Sequence, residues 1–133
     1  MDEVIKIFKE IGYGFLATVE NGEPRVRPFG FMFYEDGKLY FCTSDTKKVY
    51  NQLVKTPYIE YSSTSKDMVT ARISGKIIFS EDIDKKQKAL DSSELVKSLY
   101  KSADNPIFKV FYIEHGTASI SYLTGELPKE STF

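Results

Sequence analysis

The chain has 133 residues, the size of one domain built on a single hydrophobic core. Hydrophobic residues make up 41% and charged residues 28%, a mix that excludes disordered, collagenous and low-complexity classes. Eighteen Lys and Arg against nineteen Asp and Glu leave a net charge of -1, so no global positive field draws the protein to nucleic acid.

Residues 2 to 11 place Val4, Ile5, Phe8 and Ile11 along one face of a short helix, with Asp2 and Glu3 in the first turn, where the dipole favours anions. Gly12 and Gly14 end it. Acids and lysines interrupt this N-terminal segment, unlike the apolar core of a signal peptide. No stretch approaches the ~20 apolar residues that span a bilayer, and the expectation is a soluble cytoplasmic protein without a membrane partner. Phe15 to Glu20 is β-prone and runs into Asn21-Gly22, the strongest short hairpin signal. The second arm, Pro24 to Tyr34, contains Pro28 and Gly30, so its pairing is expected to break there or to lie at a sheet edge.

Glu35 to Lys38 reads as a turn and Lys38 to Thr43 as a third strand. Thr43, Ser44, Asp45 and Thr46 are all good N-cap residues before KKVYNQLVK, so the strand is expected to feed directly into a helix that Pro57 ends. Residues 58–64 and 68–80 form two more strands, the longer with a bulge or bend at Gly75. From Glu81 to Lys101 the spacing of Ile83, Leu90, Leu95, Val96 and Leu99 is helical, and Ser92-Ser93 caps the second of two short helices. FKVFYIE and TASISYL give two last strands joined by a tight turn at His115-Gly116, before a loose tail of about eight residues.

Seven strands on consecutive hairpins, with some four short helices between them, predict a mainly β (α+β) fold: one antiparallel barrel domain over residues 1–133. One cysteine, Cys42, and one histidine, His115, exclude an internal disulfide and a structural zinc site. Nine Tyr and ten Phe suit β-rich packing and flat ligands alike.

The order of motifs between Phe15 and Leu53 is a first strand ending in Asn-Gly, then Pro-Arg-Val-Arg-Pro, then Leu-Tyr-Phe running into Thr-Ser, a Lys pair and Gln-Leu. It resembles the pyridoxamine 5'-phosphate oxidase-like FMN-binding split barrels, including their nitroimidazole-reductase-like branch. The resemblance implies a six- or seven-stranded antiparallel split β-barrel with flanking short helices, and a homodimer with two FMN sites at the subunit interface. The implied activity is oxidation or reduction of a small molecule by FMN with electrons from a nicotinamide. Binding of flavin, haem or a deazaflavin without turnover is the alternative.

FMN presents a phosphate dianion, a polar ribityl chain and a flat ring, and so needs cations and N–H donors at one end and apolar walls at the other. Thr43 and Ser44 at the helix start, with Lys47 and Lys48 in its first turn, supply the first. Lysines there oppose the helix dipole, which a bound anion would offset; a solvated surface pair is the plain alternative.

The family's strand arginine, directed at the phosphate, falls on Arg27, with Arg25 two residues earlier as its rival. The segment along the ring falls on Pro28, Phe29 and Gly30, and Cys42 lies near the ring, where the nitroimidazole-reductase branch commonly carries a histidine. As a lone cysteine, Cys42 reads more simply as a small hydrophobe than as a nucleophile. Gln52 and Arg72 are further candidates for hydrogen bonds to the flavin. The resemblance implies that the other subunit's late strands approach the ring, which makes residues 113–122, including His115 and Tyr122, candidates for the substrate side, while His115 by itself reads more simply as a turn or surface residue.

Overall fold

In a computed structural model that describes residues 1–133, the first amphipathic segment forms α1, Asp2–Ile11, burying Val4, Ile5, Ile7 and Phe8. The Asn21-Gly22 turn, both residues at positive φ, joins β1, Tyr13–Glu20, to β2, Glu23–Gly30. The ladder between them runs unbroken through Phe15 opposite Pro28 to Tyr13 opposite Gly30. The expected break at Pro28 is therefore displaced: β2 is the outermost strand of its sheet, and a proline at an outer edge costs no ladder bond when its missing N–H faces away. Pairing ends only after Gly30. Residues 33–35 then form a separate strand, β3, Phe33–Glu35, against β4, Lys38–Ser44.

Thr43 and Ser44 do not begin the next helix as the sequence suggests. They complete β4, where Ser44 lies opposite Phe108, and the Ser44 Oγ accepts the Thr46 N–H at 3.2 Å in a local turn. Helix α2, Lys48–Lys55, starts afterwards with Lys47 as its N-cap and no capping side chain. Strands β5, Tyr58–Thr64, and β6, Val69–Ser80, follow, and the register of β6 shifts between Gly75 and Ile77 as expected. Asp82 and Ser93 cap α3, Ile83–Asp91, and α4, Glu94–Tyr100, each accepting a hydrogen bond from a first-turn N–H.

The largest departure is β7, a single strand from Phe108 to Tyr122. Gly116 is no turn residue: it faces Gly75 across the β6–β7 ladder, and a Cβ there would lie 2.1 Å from the Ser74 carbonyl oxygen. The glycine serves close backbone approach. The tail is also ordered, since β8, Lys129–Thr132, pairs with residues 117–120 of β7.

All eight strands form one antiparallel sheet in the order β2-β1-β5-β6-β7-β4-β3, with β8 also on β7. β7 forks the sheet, because residues 108–113 pair with β4 and residues 117–120 with β8. The sheet curls around a core containing Leu16, Phe41, Tyr61, Ile73 and Phe111, closed by Phe8 of α1 and Leu53 of α2. A smaller core, with Phe33, Tyr40, Leu90 and Phe108, seats α3 and α4 on the β3–β4 side. No helix is long and apolar enough to cross a membrane.

Candidate functional site

Beyond the outer strand's last residues the chain turns back toward β4, and a cleft of about 730 Å³ opens there, within the ~300–1,000 Å³ typical of small-molecule sites. Pro28, Phe29 and Gly30 line it together with Cys42 and Lys47; Leu95, Val96 and Leu99 of α4 and Lys9 of α1 complete the walls. Phe29 is fixed from beneath. Its ring packs on Phe41 and Phe111 at 6.3 and 6.0 Å between centroids, and its carbonyl accepts the Tyr61 hydroxyl at 2.9 Å. Tyr61 reaches it from β5 past Gly14, where a Cβ would stand 2.8 Å from the tyrosine ring. Burial holds the Tyr61 phenol well above its ordinary range, so it remains a donor.

Cys42 is half-buried, and burial pushes its thiol up to about 12, against the opposing pull of Lys47. It is neutral at physiological pH and belongs to the apolar wall. Lys47 and Lys48 are exposed at the start of α2, and neither forms a salt bridge within the chain. Ser44 and Thr43 are buried behind them, and the Thr43 hydroxyl has no hydrogen-bond partner.

Arg27 and Gln52 lie in a polar network next to this end. The Arg27 Nη1 donates to the Leu16 carbonyl at 3.1 Å and the Thr18 Oγ1 at 2.7 Å, and its Nη2 donates to the Gln52 Oε1 at 2.7 Å. The Gln52 Nε2 donates in turn to Glu20. Desolvation lowers the Arg27 pKa and Glu20 raises it in part. Arg25, the rival on the same strand, is exposed and paired with Glu20 and Glu23.

The structure thus gathers Pro28, Phe29, Cys42 and Lys47 around one cleft, with Lys48, Ser44 and Thr43 adjoining in the chain and Arg27 and Gln52 in the neighbouring network. Arg72 lies elsewhere, in a polar hollow of about 380 Å³ on the outer sheet face with Glu60 and Glu130. The His115 side chain is 82% exposed, 3.2 Å from Glu114, and Tyr122 reaches toward Glu3. Neither lines the cleft of its own chain. Sequence reasoning missed Lys9, Met32, Leu95 and Leu99 as cleft residues; the only signal was the i, i+4 pair of leucines, which reads equally as core.

The profile of the family described as Pyridoxamine 5'-phosphate oxidase matches residues 1–119. No curated protein matches the chain. Among solved structures, a NimC/NimA family protein from Clostridium acetobutylicum is 32% identical, with a TM-score of 0.90 over 100% of this chain and 93% of that one. A pyridoxamine 5'-phosphate oxidase-related, FMN binding protein from Nostoc punctiforme is 16% identical, with a TM-score of 0.74 over 99% and 92% of the two chains. A heme binding protein from Mycobacterium smegmatis is 17% identical, with a TM-score of 0.76 over 97% of this chain and 57% of that one. The last two likenesses are of fold.

Proposed function

The chain belongs to the pyridoxamine 5'-phosphate oxidase family, and on that premise we propose that it is an FMN-dependent oxidoreductase acting on a small molecule, with a nicotinamide as electron donor. The observation that carries this reading is the cleft itself: its seventeen lining residues include ten hydrophobic ones and no carboxylate, and it reaches the unpaired Lys47 at the start of α2. Apolar walls leading to a cation beside uncapped helix N–H groups suit a flat ring that ends in a phosphate.

In this reading Lys47, Lys48, Ser44 and the first N–H groups of α2 hold the phosphate. The orphan hydroxyl of Thr43 supports a further donor from behind. Arg27 has spent three of its five N–H groups on the protein. It contributes the remainder and its positive charge, and Gln52 orients it. Pro28, Phe29 and Gly30 lie along the ring, which Tyr61 fixes in height through the Phe29 carbonyl, and Cys42 packs beside it as an apolar group. FMN, when bound, supplies the hydride chemistry. The protein's own work is placement of the ring and exclusion of water by α4, so no side chain is required as acid or base.

Haem is the weaker occupant, because no histidine of the chain itself lines the cleft. A homodimer is the assembly that fits. Tyr13, Phe15 and Val26 project from one face of the β1–β2 hairpin, Val26 being 68% exposed, and a second copy would cover that apolar patch.

The test is the visible spectrum of the purified protein, as isolated and after addition of FMN and dialysis. Bands near ~370 and ~450 nm at about one FMN per chain are expected, followed by NADH or NADPH oxidation with an electron acceptor. A colourless protein that refuses FMN overturns the reading. Stable FMN without nicotinamide oxidation makes the protein a flavin carrier.

A further inference from the structure

Resting on the flavin reading above, we propose that the cleft admits beside the ring a flat, apolar substrate bearing one negative charge, and that Lys9 selects it. The cleft has two cations and no acid among its lining residues. Lys47 stands where the flavin phosphate ends, which leaves Lys9 without an assigned partner. Lys9 projects from the last turn of α1 and forms neither a salt bridge nor a hydrogen bond, although Glu10 follows it in the chain. A lysine there complements the helix dipole, but the dipole alone does not explain the surface beside it. Leu95 and Leu99, one turn apart on α4, line the same cleft while 69% and 60% exposed, together with Tyr13 and Met32. Large apolar side chains left open around an unpaired ammonium form a surface whose complement is an apolar plane with an anionic end.

The same arrangement discriminates. With Lys47 taken by the phosphate, a protonated amine would meet the like charge of Lys9 and no carboxylate, and an uncharged analogue would leave the ammonium unused. Cinnamate and cinnamamide share one apolar plane and nearly one shape, the amide exchanging the negative oxygen for a neutral NH2, and serve as probes.

The FMN affinity of wild type, Lys9→Met and Lys9→Arg is measured first by flavin fluorescence, and each FMN-loaded protein is then titrated with both probes, following the visible difference spectrum. FMN is expected to bind all three proteins equally, because Lys9 is assigned no contact with the phosphate. Cinnamate should bind wild type at least about ten-fold more tightly than cinnamamide, the scale of one charge-assisted hydrogen bond. Lys9→Met should bring the two probes within about two-fold, and Lys9→Arg should restore the preference. Equal affinity for the two probes in wild type, no spectral response to either, or release of FMN by cinnamate overturns the proposal while the flavin reading stands. Failure of wild type to bind FMN in the first titration removes both.

Discussion

Lys47 and Lys48 stand at the positive end of α2 without a carboxylate partner, an arrangement that costs the free protein stability and returns it when an anion binds. Replacing both, Lys47→Ala with Lys48→Ala, is expected to weaken FMN binding by more than about 2 kcal/mol, two charge-assisted bonds' worth. The melting temperature of the FMN-free protein should stay level or rise; unchanged flavin affinity by fluorescence titration would remove these lysines from the site. The opposite expectation holds for Cys42, whose thiol is neutral at physiological pH. Cys42→Ser should keep its nicotinamide oxidation rate, and complete loss with FMN still bound would make the thiol catalytic.

How far such residues could be found from sequence depended on distance along the chain. Pro28, Phe29, Cys42 and Lys47 sit within one continuous stretch of chain, from the end of β2 through β4 to the start of α2, whose local pattern is readable. Lys9 and Leu95 reach the same cleft from elements far apart in the chain, and only tertiary packing joins them. Arg27 stands out in the sequence as a candidate for the phosphate, but its bonds to Thr18 and Gln52 could not be read there.

At the level of elements, α3 is held to the β3–β4 hairpin by electrostatics as well as by Leu90. Glu35 receives hydrogen bonds from both Lys85 and Lys88, and these bonds, reinforced by the lysine charges, lower its pKa from 4.5 to about 2. A carboxylate whose pKa is depressed in the folded state stabilises fully above its unfolded value. The contribution is therefore lost as pH falls from about 4.5 through about 2. Lys85, raised by the same pair, loses its share only at strongly alkaline pH. Melting curves of wild type and Glu35→Gln should accordingly differ most near neutrality and converge toward pH 2; parallel curves would leave Glu35 without a structural role.

The elements themselves were largely legible. Asn21-Gly22, the cap at Ser93 and the slip at Gly75 all did what their local chemistry suggests. Errors arose where a residue answered to a distant partner. Gly116 reads as a turn in isolation, but is dictated by the backbone of β6, and the C-terminal residues gain order only from the second half of β7.

For the molecule as a whole, the apolar face of the β1–β2 hairpin predicts self-association. Sedimentation should give a dimer, and Phe15→Glu combined with Val26→Glu should give monomers with a preserved far-UV spectrum; a monomeric wild type would mean that face is left to solvent. The sheet order has a further consequence for synthesis. β4 has β3 along one edge, but its other edge is filled only by β7, with Ser44 opposite Phe108, and the open edge of β6 awaits the same strand. Ribosomes add about 5–20 residues per second, so a nascent chain carries two strands with one open edge each for seconds while α3 and α4 are translated. Such unpaired backbone invites intermolecular pairing. Chains released at Asn105 should therefore precipitate or remain bound to chaperones, whereas the full-length chain goes free. If the shortened chain were soluble and monomeric, α3 and α4 would be shielding those strands before their partner arrives.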